Sequence, residues 1–121
     1  MNVRYHKDLV VWQKAMDLAK EVYLLVKKLP KEETYALSSQ MRRAAISIPS
    51  NIAEGQARNS TKEFVQFLSI ARGSKAELQT QLLLCVEIGY LSKQDTNPAM
   101  NLSEEISKML ASLMQKLTTD H

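Results

Sequence analysis

The sequence predicts an all-α protein: an antiparallel four-helix bundle in up-down-up-down order, occupying residues 1–121 as one domain. Three observations lead there. Apolar residues recur at spacings of three and four in four long segments, which puts them on one face of a helix each. Only three Gly and three Pro are present, and aromatic content is 6%, so long loops and an aromatic-rich β-sandwich are disfavoured. The segments are separated by short connections at 29–33, 59 and 89–96, which favour antiparallel neighbours.

The first helix is expected from Asp8 to Lys28. Trp12, Ala15, Ala19, Val22, Val26 and Leu29 form its stripe, widened by Val11, Leu18 and Leu25. Asp8 suits the N-cap, and Pro30 closes the segment by forcing the preceding residue out of the helical region. The second helix is expected from Thr34 to Arg58, with Met41, Ala45, Ile48, Ile52 and Gly55 in one stripe. Pro49 falls inside it. The apolar period continues in phase across Pro49, so a kink is expected rather than a break. Ala44, Ala45, Ser47, Ser50, Ala53 and Ala57 are small enough to let other helices approach closely.

Ser60-Thr61-Lys62-Glu63 reads as a capping box opening the third helix. Phe64, Phe67, Leu68, Ala71, Leu78, Leu82 and Val86 follow it, and Gly89 suits a left-handed C-cap after an end near Ile88. The fourth helix is expected to begin at Asn97 as N-cap with Pro98 in the first helical position. Its stripe is Leu102, Ile106, Met109, Leu110, Leu113 and Leu117.

The residues offer little for catalysis or cofactors. Cys85 lies among Leu82, Leu83, Leu84 and Val86, the setting of a small buried hydrophobe rather than a nucleophile. His6 and His121 sit near the termini without partners at helical spacing. Zinc spacings, Glu-x-x-His pairs and Gly-rich phosphate loops are all missing. An enzyme is therefore not expected, and the one acid–base pair to nominate is Glu54 with Glu63. No apolar run approaches the length of a membrane span. A lone cysteine and no signal-peptide pattern point to the cytoplasm.

Charge is uneven. The chain carries 16 Lys/Arg against 13 Asp/Glu, and residues 1–59 hold ten against six. That basic half suits an anionic partner, although lysines also serve solubility. Lys7, Lys14, Arg42 and Arg58 are the candidate nucleic-acid contacts.

The other informative polar residues lie mid-helix in the second and third segments. Arg43, Asn51, Glu54, Arg72, Ser74, Glu77 and Gln81 fall where these helices would pair about a turn near Asn59. That pairing sets Arg43 near Ser74 and Lys75 and within reach of Glu77. It sets Asn51 opposite Phe67, and Glu54 one turn from Glu63. Two explanations fit: a solvated face with local ion pairs, or a polar stripe partly buried between subunits. Residues 34–91 hold only ten charged residues in 58 positions, and that scarcity favours the second.

Three blocks carry a family resemblance. They are Asp8-Leu9-Val10-Val11-Trp12-Gln13-Lys14-Ala15, the run from Ser39 to Gly55 through Arg42-Arg43-Ala44-Ala45-Ile46-Ser47-Ile48-Pro49-Ser50-Asn51, and the run from Glu63 to Leu82 through Ala71-Arg72-Gly73-Ser74-Lys75-Ala76-Glu77. Together they resemble the four-helix bundle family named after proteins encoded in the intervening sequence of bacterial 23S ribosomal RNA. The resemblance implies an antiparallel four-helix bundle assembled as a ring-shaped homopentamer, with no known enzymatic activity. It also implies kinship to the accessory variability determinant of diversity-generating retroelements, which works with a reverse transcriptase and nucleic acid. On that basis Arg42, Arg43, Asn51, Glu54, Arg72, Ser74, Glu77 and Gln81 would lie at subunit contacts or a binding surface. The function expected is a non-enzymatic homo-oligomeric module that binds RNA or a nucleic-acid enzyme. The alternative is a protein-interaction adaptor with no nucleic-acid role.

Overall fold

The structure, a computed structural model, describes His6 and residues 9–119. Four helices make it up: α1 Val10–Val26, α2 Leu37–Gln56, α3 Thr61–Glu87 and α4 Lys93–Thr119, with a 3-10 turn at Lys31–Glu33. Helices adjacent in sequence pack together, and α1 closes the bundle against α4. The diagonal pairs α1/α3 and α2/α4 do not approach each other. This is a square, cyclically ordered bundle, and no strand occurs among the described residues.

The core is aliphatic, as the periodicity predicts. Leu18, Val22, Met41, Ile48, Ile52, Leu68, Leu78, Leu82, Ile106 and Leu110 are fully buried. In α1 the buried face is rotated from the expected one. Ala15, Leu18 and Val22 lie at its centre with Val11 and Leu25 buried beside them, while Trp12 and Ala19 flank it half-buried. A helix of alternating threes and fours admits either line as its axis, and contact with both α2 and α4 selects the one between them. Leu9 holds the N-cap position with no side-chain cap bond; Asp8, the expected cap, lies outside the described residues.

α2 starts later and ends earlier than the sequence suggests. Residues 31–36 form the 3-10 turn and its exit instead of a first helical turn. Glu33 ties this segment down: the Leu37 amide donates to its carboxylate at 3.3 Å, and the Tyr90 hydroxyl donates to it at 2.9 Å. That bond to Glu33 is the main reason the Tyr90 hydroxyl holds its proton more tightly than usual. α2 itself continues through Pro49, whose ring is buried in the bundle.

The α2–α3 contact is the tightest. A Cβ built on Gly55 would stand 2.7 Å from Phe67 Cβ, 3.1 Å from Phe64 Cδ1 and 3.2 Å from the Phe64 carbonyl oxygen. Further along, Ser47 Oγ and Ser74 Oγ share a hydrogen bond at 2.8 Å. Cys85 packs beside Met41, with its Sγ 3.6 Å from the thioether sulfur. Burial, with a smaller contribution from the Glu33 charge, raises the Cys85 thiol pKa and disfavours thiolate.

Ser60 caps α3, accepting from the Glu63 amide at 3.1 Å; no return bond from the Glu63 carboxylate forms among the described residues. Gly89 ends α3 at φ 85, with Gly89 N–H on the Val86 carbonyl and Tyr90 N–H on that of Cys85, a Schellman motif. α4 begins at Lys93, five residues before Pro98, the expected first helical position. Its box is Ser92–Asp95: each backbone amide donates to the other's side chain at 3.0 Å. Asn97 is not a cap, and Pro98 sits within the second turn. The carbonyl its missing N–H frees belongs to Gln94, an exposed residue that water can serve.

Two predictions follow from this packing. Gly55→Ala should destabilise the protein in chemical denaturation. Forcing a methyl between backbone and Phe67 costs about 1–3 kcal/mol, more than the roughly 1 kcal/mol of helix propensity gained. Asp95, held at a pKa of about 2 chiefly by the Ser92 amide and then by Lys28 and the Ser92 hydroxyl, stabilises the fold in its charged form. Its folded pKa is depressed, so that contribution is present above pH 4 and lost as pH falls through 2. Asp95→Ala should lower the melting temperature at pH 7, with the gap to wild type narrowing between pH 4 and pH 2.

Candidate functional site

Three of the polar residues singled out in α2 and α3, Arg43, Ser74 and Glu77, converge on the outer seam between the two helices. Gln40, Arg43, Ala44 and Ser47 from α2 line a cleft of about 440 Å³ with Ser74 and Glu77 from α3. Gln40, Arg43 and Ser47 follow one another at three and four residues, so α2 presents them as one row. The sequence pairing anticipates Arg43, Ser74 and Glu77 here. Gln40 and Ser47 join them because the true helical register runs about three residues further along than a turn at Asn59 implies.

Contacts within the seam differ from the expected ones. Arg43 and Glu77 share the cleft but form no ion pair; Glu77 instead accepts from Gln81 Nε2 at 3.4 Å. Gln81 is 7% exposed, and its Oε1 is buried with no donor. A buried acceptor left unmatched costs about 1–3 kcal/mol. Asn51 turns back on its own helix, donating to the Ser47 carbonyl at 2.7 Å and to Ser47 Oγ at 2.9 Å. Together with the Ser47–Ser74 bond, this forms a small cross-helix network.

Glu54 pairs with Arg58 at 3.3 Å rather than lying with Glu63. The Arg58 guanidinium also covers the Phe67 ring at 4.8 Å from its centre, next to Gly55. Arg72 is exposed and is not brought to the cleft: five residues from Glu77, it points about 140° away around α3. Lys75 belongs to neither side. It is nearly buried, and its ammonium donates to Gln79, whose amide in turn donates to Glu104 of α4 at 2.9 Å.

Exposed apolar side chains border the seam. Ile46 and Ile70 flank its middle, and Leu84 and Ile88 continue the same row of α3 toward its C-terminus. The surface is therefore amphipathic across helices rather than uniformly polar.

The candidate phosphate contacts are engaged with the protein itself. Lys14 bridges to Glu105 of α4 at 3.0 Å. Arg42 donates to the Thr34 carbonyl at 3.4 Å. Arg58 holds Glu54 and Phe67 as described, and Lys7 lies outside the described residues. Among the described residues no group of His, Cys, Asp and Glu is arranged to hold a metal ion, and no helix is long and apolar enough to cross a membrane.

By class the chain is a small four-helix bundle with an outward amphipathic seam between α2 and α3. Comparison with known proteins places it further. A family profile described as 23S rRNA-intervening sequence protein matches residues 7–112, so the chain belongs to that family. The fold is also that of a solved protein of unknown function from the S23 ribosomal protein family of Bacteroides thetaiotaomicron. That structure is 30% identical and superposes with a TM-score of 0.81, over 88% of this chain and 96% of its own. No curated protein matches the chain.

Proposed function

We propose that this protein is a non-enzymatic, homo-oligomeric cytoplasmic module whose α2–α3 seam receives a second copy of the chain and whose assembly presents basic surface to RNA or to a nucleic-acid enzyme. The observation that carries the first part is Gln81 Oε1. A buried acceptor with no donor, beside an Arg43 and a Glu77 that share a cleft without pairing, suits a surface completed from outside. The exposed Ile46, Ile70, Leu84 and Ile88 supply apolar area around it.

The placement of Arg72 supports the geometry of that assembly. A twofold contact would pair Arg43 of each copy with Glu77 of the other. A head-to-tail contact would instead set the Glu77–Gln81 row of one copy against the Arg72 face of the next, again with opposite charges meeting. Such head-to-tail contacts close into rings when the rotation permits, in keeping with the homopentamer that the family resemblance implies. Five copies of a chain with net charge +3 would carry about +15. The RNA part of the reading rests on the family to which the chain belongs, and the link to a nucleic-acid enzyme on the retroelement relative.

Arg43→Ala and Glu77→Ala should each weaken assembly. Breaking one partner of a buried charged contact costs about 3–5 kcal/mol, a rise of more than a hundredfold in the subunit dissociation constant. Light scattering over a dilution series measures it. Gln81→Met separates the two accounts of the seam. In a lone chain it removes an unmatched acceptor and should be neutral or stabilising; in an assembly it should promote dissociation. Wild-type size for all three variants down to low concentration would overturn the subunit contact. Gel-shift titration against structured RNA should show binding at low salt that weakens steeply as salt rises. No binding at low salt would leave the protein-interaction adaptor.

A further inference from the structure

The net charge of the chain has an address. Residues 20–31 hold four lysines, Lys20, Lys27, Lys28 and Lys31, against one acid, Glu21. That excess of three equals the excess of the entire chain, so the other residues balance twelve against twelve. The stretch covers the C-terminal half of α1 and the turn after it.

Lys20, Tyr23 and Lys27 are spaced three and four apart, one row on the outward face of α1. All three are exposed, Tyr23 by 41%. Among the described residues Lys20, Lys27 and Lys31 take part in no ion pair, whereas Lys28 is held by Asp95 at 3.0 Å. Beyond Lys31 stands Tyr35, 96% exposed, in the segment that leads into α2. Asp17 and Glu32 bound the row with negative charge, and Glu33 is occupied by Tyr90 and the Leu37 amide. From Lys20 to Lys27 the helix rises about 10 Å, a span of a few phosphates.

Resting on the nucleic-acid reading above, we infer that the Lys20–Tyr23–Lys27 row, extended by Lys31 and Tyr35, is a binding strip for single-stranded nucleic acid. Free lysines at this spacing answer phosphates. A tyrosine ring between them answers the flat face of an unpaired base, which a duplex keeps stacked inside. Lys14, Arg42 and Arg58, the cations that sequence alone recommends, are tied into the fold, and this row is not. Charge complementarity and an interleaved aromatic select a polyanion with exposed bases over an acidic protein surface.

The test is fluorescence anisotropy with labelled twenty-nucleotide oligouridylate and oligothymidylate between 50 and 200 mM salt. Three lysine contacts give a log–log salt slope of about −2, at roughly 0.7 per contact for single strands, so affinity should fall about twentyfold across that range. Lys20→Ala with Lys27→Ala should cut the slope to about −0.7. Tyr23→Ala should weaken binding about tenfold at unchanged slope. Lys108→Ala with Lys116→Ala removes the same charge from α4 and should leave binding close to wild type. The RNA and DNA arms tell which sugar is preferred; binding of either supports the strip. If the wild type binds but Lys20, Lys27 and Tyr23 can be replaced without effect, or if the α4 variant loses as much, the strip is overturned while the broader reading stands. If the wild type binds neither oligomer nor structured RNA, both fall.

Discussion

The approach of α2 to α3 at Gly55 sets the rest of the molecule. With Phe67 Cβ 2.7 Å from where an alanine methyl would begin, only glycine permits this separation. Two helices held that close cannot fit large side chains between them, and the residues along the line are small: Ala44, Ala45, Ser47 and Ser74. Where the backbones converge, short hydroxyls reach each other directly, which is why Ser47 and Ser74 bond at 2.8 Å. The longer polar chains on either side, Gln40, Arg43 and Glu77, are pushed outward and become the walls of the cleft. The tight contact and the outward seam are thus one feature seen from its two sides.

Long-range order at the opposite end comes from polar clamps rather than close packing. Lys28 joins the end of α1 to Asp95 at the start of α4, and Tyr90 joins the α3–α4 turn to Glu33 before α2. These bonds hold the connections that a sparse apolar sequence between Pro30 and Leu37 cannot bury. They also explain the 3-10 turn. With Glu33 committed both to the Leu37 amide and to Tyr90, the chain around it is fixed by side-chain bonds, not by a continuing helix.

Periodicity makes the four helices and their core legible, since threes and fours of Leu, Ile, Val and Ala leave no other regular structure. Helix starts are less so. Asn97-Pro98 offers a common pattern for the opening of a helix, but Ser92 and Asp95 satisfy two amides reciprocally and nucleate α4 one turn earlier. A proline in the second turn of an exposed helix end costs little, so it does not veto the longer helix. For the seam, helical spacing and the pairing of α2 with α3 bring Arg43, Ser74 and Glu77 together, as the sequence suggests. The sequence does not reveal which of them pair. Arg43 faces Glu77 without touching it, and Asn51 bonds its own helix, because side-chain choice at this scale depends on helix separation, which Gly55 decides.

The positive excess of the N-terminal half is visible in the sequence, but three of the cations it recommends for an anionic partner are engaged within the fold. Lys14 and Arg58 neutralise Glu105 and Glu54, and Arg42 serves a carbonyl. A cation already satisfied by the fold must give up that contact to reach a phosphate; a free one need not. Lys20 and Lys27, unpaired among the described residues, lie on α1, diagonal to α3 across the bundle. A chain that associates through the α2–α3 seam therefore leaves the α1 face outside the contact. Self-association and polyanion binding can then act on one molecule at once, with each subunit adding its own strip to the assembly.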